Sequence, residues 1–120
     1  MVAPEIELEL PLAPSANRIW KNAGARVFRS KEYERWFNHA GLLANRQHPP
    51  RIIGPYELAI EVARPDERRR DLDNLTKATS DFLVRMGLVE DDYLAQVITS
   101  RWVSTGSGML VRVKAAEVLA

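Results

Sequence analysis

The sequence predicts an α+β fold: a two-layer α/β sandwich with one mixed sheet of about four strands and two main helices on one face. Three observations carry that expectation. Strand-like and helix-like hydrophobic periods follow one another in the order strand, helix, strand, helix, strand, strand. Each apolar set occupies one side of its element, so each element needs a single covering layer. No repeat, low-complexity tract or linker divides the 120 residues, a length suited to one core, so residues 1–120 read as a single domain.

The elements justify themselves in turn. Ile6, Leu8 and Leu10 alternate with Glu5, Glu7 and Glu9, the period of a half-buried strand over residues 5–11. Pro11 and Pro14 end it, and Pro14-Ser15-Ala16-Asn17-Arg18 reads as a turn or loop. Ser30 suits the N-cap of a helix over about 31–47, whose apolar stripe is Tyr33, Trp36, Phe37, Ala40, Leu43 and Ala44. Pro49 and Pro50 close that segment. A second strand runs from about Tyr56 to Arg64, with Tyr56, Leu58, Ile60 and Val62 on one face. Pro65 and the charged run after it form a loop. Residues 72–86 place Leu72, Leu75, Thr79, Phe82, Leu83 and Met86 on one helical face, and Gly87 is a natural stop. Two further strands, about 95–104 and 109–117, flank Thr105-Gly106-Ser107-Gly108, which reads as a hairpin turn.

Composition narrows the class. With 46% hydrophobic and 28% charged residues the chain can fill a core. No apolar run approaches the roughly 20 residues needed to span a bilayer, and the acidic N-terminal stretch lacks the basic region of a signal peptide. Cysteine is absent, which excludes disulfides and thiolate metal sites. The expectation is a soluble cytoplasmic protein with no membrane partner. The net charge is only +1, but its distribution is uneven. Arg64, Arg68, Arg69 and Arg70 directly precede Asp71 and Asp73, and Arg18, Lys21, Arg26, Arg29 and Lys31 form a second basic group. Such local patches decide whether a polyanion can dock.

Helical projection puts Asp73, Asn74, Lys77 and Asp81 away from the apolar stripe. Asp71 and Asp73 would diverge within one helix, and they converge only if Asp71 sits at the cap or in the extended loop before the first turn, where the helix N-terminus favours carboxylates and phosphates alike. Glu90, Asp91 and Asp92 follow the helix, and a fold-back after Gly87 would let one of them meet the first two. Three oxygen ligands without His or Cys suit a hard cation such as Mg²⁺. That ion can activate water and neutralise charge on a phosphoryl group. Lys77 would favour ionised carboxylates, and the arginines would hold backbone phosphates. Spacing alone equally allows an ordinary capped acidic helix start, a surface Asp73–Lys77 pair and solvated loops.

Arg68-Arg69-Arg70-Asp71-Leu72-Asp73-Asn74-Leu75, then Lys77-Ala78, Asp81, Gly87-Leu88 and Asp91-Asp92, resembles the RusA family of Holliday junction resolvases. Leu10-Pro11, Pro14-Ser15-Ala16-Asn17-Arg18 and Trp20 look like that family's other signature, a proline-rich turn leading to Asn and an aromatic. The resemblance implies a homodimer that uses Mg²⁺ to nick two opposed strands of a four-way DNA junction. Carried over by position, Asp71, Asp73 and Asp92 would bind the metal, with Asp91 as the fallback for Asp92. Lys77 would tune them and assist at the scissile phosphate. Ser15, Ala16, Asn17, Arg18, Lys21, Arg68, Arg69, Arg70 and Asn74 would contact DNA. Ala13 stands where a proline is usual, and Glu67 interrupts a run that can be wholly basic. Two other classes stay in view: a non-catalytic module that binds branched DNA, and a small metal-dependent phosphohydrolase. Trp20, Trp36 and Phe37 are candidates for a subunit interface or for the core; His39 and His48 are given no role.

Overall fold

The structure, a computed structural model, describes residues 4–14, 20–23, 26–67 and 70–117, with the backbone alone at 20–23 and 26–29. Its strands are β1 (Glu5–Leu10), β2 (Trp20–Ala23), β3 (Arg26–Arg29), β4 (Tyr56–Ala63), β5 (Ala95–Val103) and β6 (Met109–Ala115). Its helices are α1 (Lys31–Arg46) and α2 (Leu72–Arg85), and a 3₁₀ turn, Asp92–Leu94, leads into β5. Four strands form one mixed sheet in the order β1-β6-β4-β5, antiparallel except for the β4–β5 pair. A parallel pair needs a crossover, and α2 supplies it. The expected α+β architecture is present.

Two features differ from the sequence reading. First, β2 and β3 form a separate antiparallel ribbon, in a stretch read only as basic. Second, β5 and β6 are not a hairpin: β4 lies between them and bonds to both. The β4 strand, whose inward residues Tyr56, Leu58, Ile60 and Val62 are all buried, lies between them, so the Thr105–Gly108 loop crosses its end. Ala63 N–H donates to the Gly108 carbonyl at 3.0 Å and Arg64 N–H to that of Val103 at 3.3 Å. Gly108 has φ 71°, and a Cβ there would collide with the Leu10 carbonyl oxygen, so only glycine fits.

One face of the sheet is apolar, and both helices share its core. Ile6, Leu8, Tyr56, Leu58, Ile60, Val62, Val111 and Val113 are buried there with Tyr33, Trp36, Phe82 and Leu83. Ser30 caps α1 as expected, its hydroxyl accepting Tyr33 N–H at 3.1 Å. Trp36 meets Phe82 edge-on at 5.3 Å, and its indole N–H donates to the Pro11 carbonyl at 3.0 Å, which fixes its place in the core. Asp81, expected to face outward, accepts a short hydrogen bond from the Tyr33 hydroxyl and ties α2 to α1. Arg85 reinforces that seam, paired with Glu34 at 3.1 Å and lying 3.8 Å over the Phe37 ring. No helix among the described residues is long and apolar enough to cross a membrane.

Candidate functional site

The first acidic pair stands at the start of α2. Asp71 is the N-cap of α2, in extended conformation (φ −102°, ψ 117°), and its carboxylate accepts Asp73 N–H at 2.9 Å. Both carboxylates are exposed at the positive end of the helix. Lys77 is exposed one turn later and makes no ion pair among the described residues, so the surface pair with Asp73 does not form. Asn74 is half-buried between them. Arg70 is held by Asp66 through contacts of 3.0 and 3.4 Å. Ser15, Ala16, Asn17, Arg18, Arg68 and Arg69 lie outside the described residues, as does the Lys21 side chain.

The second acidic pair is set by the reversal after α2. Gly87 takes φ 73°, and Leu88 N–H returns to the Leu83 carbonyl at 3.0 Å, the expected stop. The chain is then latched to the segment before β4. Ile52 N–H donates to the Leu88 carbonyl at 2.8 Å, and Gly54 N–H donates to the Glu90 carboxylate at 2.7 Å. Glu90 is therefore an anchor for the turn. Asp91 caps the 3₁₀ turn, accepting Tyr93 N–H at 3.5 Å. The neighbouring Asp91 carboxyl, and after it partial burial, raise the Asp92 carboxyl above its ordinary 3.8. Two acids this close resist carrying two charges unless a cation joins them.

Beside this turn lies Tyr56, the first residue of β4. It is completely buried and its hydroxyl has no hydrogen-bond partner. Burial, and then the charges of Asp92 and Asp91, push its pKa above the ordinary 10.0. The β4–β5 register shifts between Tyr56 and Glu57, a bulge immediately after the acidic turn.

Among the described residues, no three His, Cys, Asp or Glu side chains gather closely enough to hold a metal ion. The acids stand as two pairs, Asp71/Asp73 and Asp91/Asp92, with α2 packed against the turn that carries the second. Electrostatics explains the separation, since gathering four carboxylates without a cation costs more than any local hydrogen bond returns. The donor chemistry nonetheless suits a hard divalent ion, since all four groups offer carboxylate oxygens.

The outer face of the sheet has a mixed charge. Its cations are taken up by carboxylates: Arg101–Glu61 at 2.7 Å, Arg112–Glu61 at 3.2 Å, Arg112–Glu7 at 3.5 Å and Lys114–Glu57 at 3.7 Å. Glu5 and Glu9 add further negative charge there. On the side bearing α2, Lys77 is exposed. Arg64, at the root of the loop before α2, lies 4.2 Å over the Trp102 ring. Sequence reasoning missed Tyr56, Trp102 and the Glu90 latch. Tyr56 and Trp102 carried no signal because each fits the apolar pattern of its strand, which cannot reveal an unpartnered hydroxyl or a stacked guanidinium.

The family model for endodeoxyribonuclease RusA matches residues 9–114. The crossover junction endodeoxyribonuclease RusA of Escherichia coli strain K12 is 38% identical over 95 residues, covering 78% of this chain and 78% of that protein. The protein of the same name from Enterobacteria phage 82 is 37% identical over the same length and coverage. That of Enterobacteria phage HK97 is 34% identical over 90 residues, covering 73% of this chain and 74% of its own.

Proposed function

This chain belongs to the RusA endodeoxyribonuclease family, and from that premise we propose that it resolves four-way DNA junctions during recombination and repair. In this reading it is a Mg²⁺-dependent, structure-specific endodeoxyribonuclease that acts as a homodimer and makes paired symmetric nicks. The observation that carries the reading is the exposed Asp71/Asp73 pair at a helix N-terminus, with an exposed Lys77, which makes no ion pair among the described residues, one turn away and an arginine-bearing loop before it. An ordinary capped helix start needs one acidic cap; it needs neither the second exposed acid nor the exposed cation.

Asp71, Asp73 and Asp92 would hold the ion, with Asp91 as the alternative to Asp92. When bound, Mg²⁺ supplies a water of lowered pKa and neutralises charge on the phosphoryl group. The chain's own groups do the rest. The α2 N-terminus presents its field and free N–H groups to a phosphate. Lys77 neutralises the charge that builds on the phosphorane oxygens, a task for which it needs no other partner. Arg70 and its neighbours Arg68 and Arg69, with Ser15, Ala16, Asn17, Arg18, Lys21 and Asn74, would fix the backbone in register. A two-fold dimer matches the junction's pseudo-symmetry and places two such sites on opposed strands.

The test is a synthetic four-way junction incubated with pure protein, with and without Mg²⁺, on a denaturing gel. Paired nicks at symmetric positions, only with the metal, are expected. The open arrangement of the acids gives one competing reading its footing, a branched-DNA binder without catalysis. Tight junction binding with no cleavage in Mg²⁺ or Mn²⁺ would establish that alternative.

A further inference from the structure

We propose that Trp102 and Arg64 form a stacking subsite for an unpaired nucleobase next to the scissile phosphate, at the edge of the sheet beside the start of α2. The proposal rests on the junction reading above and adds to it two residues outside the acidic motif. Its placement follows from the crossover. Strands β4 and β5 are parallel, so α2, which joins them, runs antiparallel to both. A hydroxyl–hydroxyl contact of 2.5 Å between Thr76 and Ser100 fixes where helix and strand cross. One helical turn back from Thr76 stands Leu72, and two residues on from Ser100 stands Trp102, steps of about 6 Å and about 7 Å in the same direction. Trp102 is in register with the buried Val62, so it faces the helix side, and both it and Leu72 are partly buried against the core. The indole therefore lies at the first turn of α2, the turn capped by Asp71 and carrying Asp73.

The pair differs from a tryptophan used only for packing. Trp36 is buried, meets Phe82 edge-on and spends its indole N–H on the Pro11 carbonyl. Trp102 keeps part of its surface open, its indole N–H makes no hydrogen bond among the described residues, and the group over its ring is the Arg64 guanidinium at 4.2 Å. Arg64 is exposed and makes no ion pair among the described residues, whereas Arg101, Arg112 and Lys114 on the opposite face each meet a glutamate. An indole with a guanidinium beside it accepts any base, because every base has a π-face, and the cation draws in the adjoining phosphate. On the same face of β5, beyond Ser100, Ile98 is 48% exposed, so apolar surface stays open on both sides of the Thr76–Ser100 contact, enough for a sugar as well as a base. Strand β5 is an edge of the sheet, and its free side admits a DNA strand. Unstacking a base costs least where pairing is already broken, which in a four-way junction is the point of strand exchange.

The experiment runs in EDTA, so that no cleavage interferes, on a synthetic four-way junction carrying 5-iodouracil in place of thymine at the crossover. Irradiation joins this base to an aromatic ring stacked on it, and mass spectrometry of the digest identifies the residue. The crosslink is expected on Trp102 with the junction and not with a duplex arm of the same sequence. Gel-shift titrations of wild type, Trp102→Leu, Trp102→Phe and Arg64→Ala accompany it, with urea unfolding of each. Losing one stacked base should weaken junction affinity about tenfold in Trp102→Leu. Trp102→Phe should restore most of that loss, and Arg64→Ala, which leaves the core intact, should weaken the junction complex severalfold. Duplex affinity should hold throughout. Crosslinks confined to other residues overturn the proposal, and so does wild-type junction affinity in folded Trp102→Leu and Arg64→Ala. A merely structural indole gives lower stability in Trp102→Leu with junction affinity unchanged, which also overturns it. If wild type shows no preference for the junction over duplex DNA, the junction reading itself fails and takes the subsite with it; a clear preference without a Trp102 crosslink sinks the subsite alone.

Discussion

Asp71 is given two jobs, capping α2 and binding metal, and two substitutions separate them. Asparagine keeps an Oδ1 that can accept Asp73 N–H at the 2.9 Å the carboxylate now uses, but it removes the charge. Alanine removes both. Losing an N-cap acceptor costs about 1 kcal/mol, while exchanging a charged for a neutral cap costs a few tenths through the helix dipole. Asp71→Ala should therefore lower the unfolding free energy by about 1 kcal/mol, roughly a 4 °C drop in Tm for a chain this size. Asp71→Asn should stay within about 0.5 kcal/mol of wild type. Both should lose metal-dependent junction cleavage by at least about 100-fold. Urea unfolding without metal, run beside a cleavage assay, reads the two effects independently. The reasoning is refuted if Asp71→Asn is as unstable as Asp71→Ala, or if Asp71→Asn cleaves like wild type.

Lys77→Ala removes a side chain with no ion pair among the described residues, so stability should change by less than about 0.5 kcal/mol. Cleavage at saturating Mg²⁺ should fall by roughly 100-fold; an unchanged rate would return Lys77 to the solvated surface. For Tyr33, burial and the hydrogen bond to Asp81 raise the phenol above its ordinary 10.0, so the folded chain keeps a proton that the unfolded chain releases. Its contribution is complete below about pH 10 and declines as pH rises beyond it. Wild-type stability should fall across pH 10–11.5 more steeply than that of Tyr33→Phe, and parallel slopes in urea titrations would show that the Tyr33–Asp81 bond is not maintained in solution.

Much of this architecture was legible because periodicity reports burial. The alternation of Ile6, Leu8 and Leu10 gives β1, and the Leu75–Phe82–Leu83 stripe gives α2, because each set is buried against the same core. Pairing was not legible. Thr105–Gly108 looks like a hairpin turn, yet whether a strand inserts between its arms depends on the competition of β4 and β6 for the sheet centre, a long-range matter. The ribbon β2–β3 was missed because its residues mix cations with Val27 and Phe28 and show no clean period; Gly24 was the one turn signal.

At the site, the residue types were legible and their spacing in space was not. Asp71 could be placed at the cap or in the loop just before it, because two acids two positions apart diverge within one helix; the structure selects the cap. The approach of Asp91 and Asp92 to that cap depended on the fold-back after Gly87, and among the described residues they remain a pair apart from Asp71 and Asp73. Repulsion among carboxylates is a force that a sequence pattern does not display.

The most direct measurement is Asp73→Asn on one labelled four-way junction, with gel-shift binding and Mg²⁺-dependent nicking read from the same preparation. Asp73 caps nothing through its side chain, so the substitution isolates its charge. Junction affinity should hold or tighten as a repelling charge disappears, while nicking falls below detection. Nicking at the wild-type rate by a variant that still binds would contradict the account.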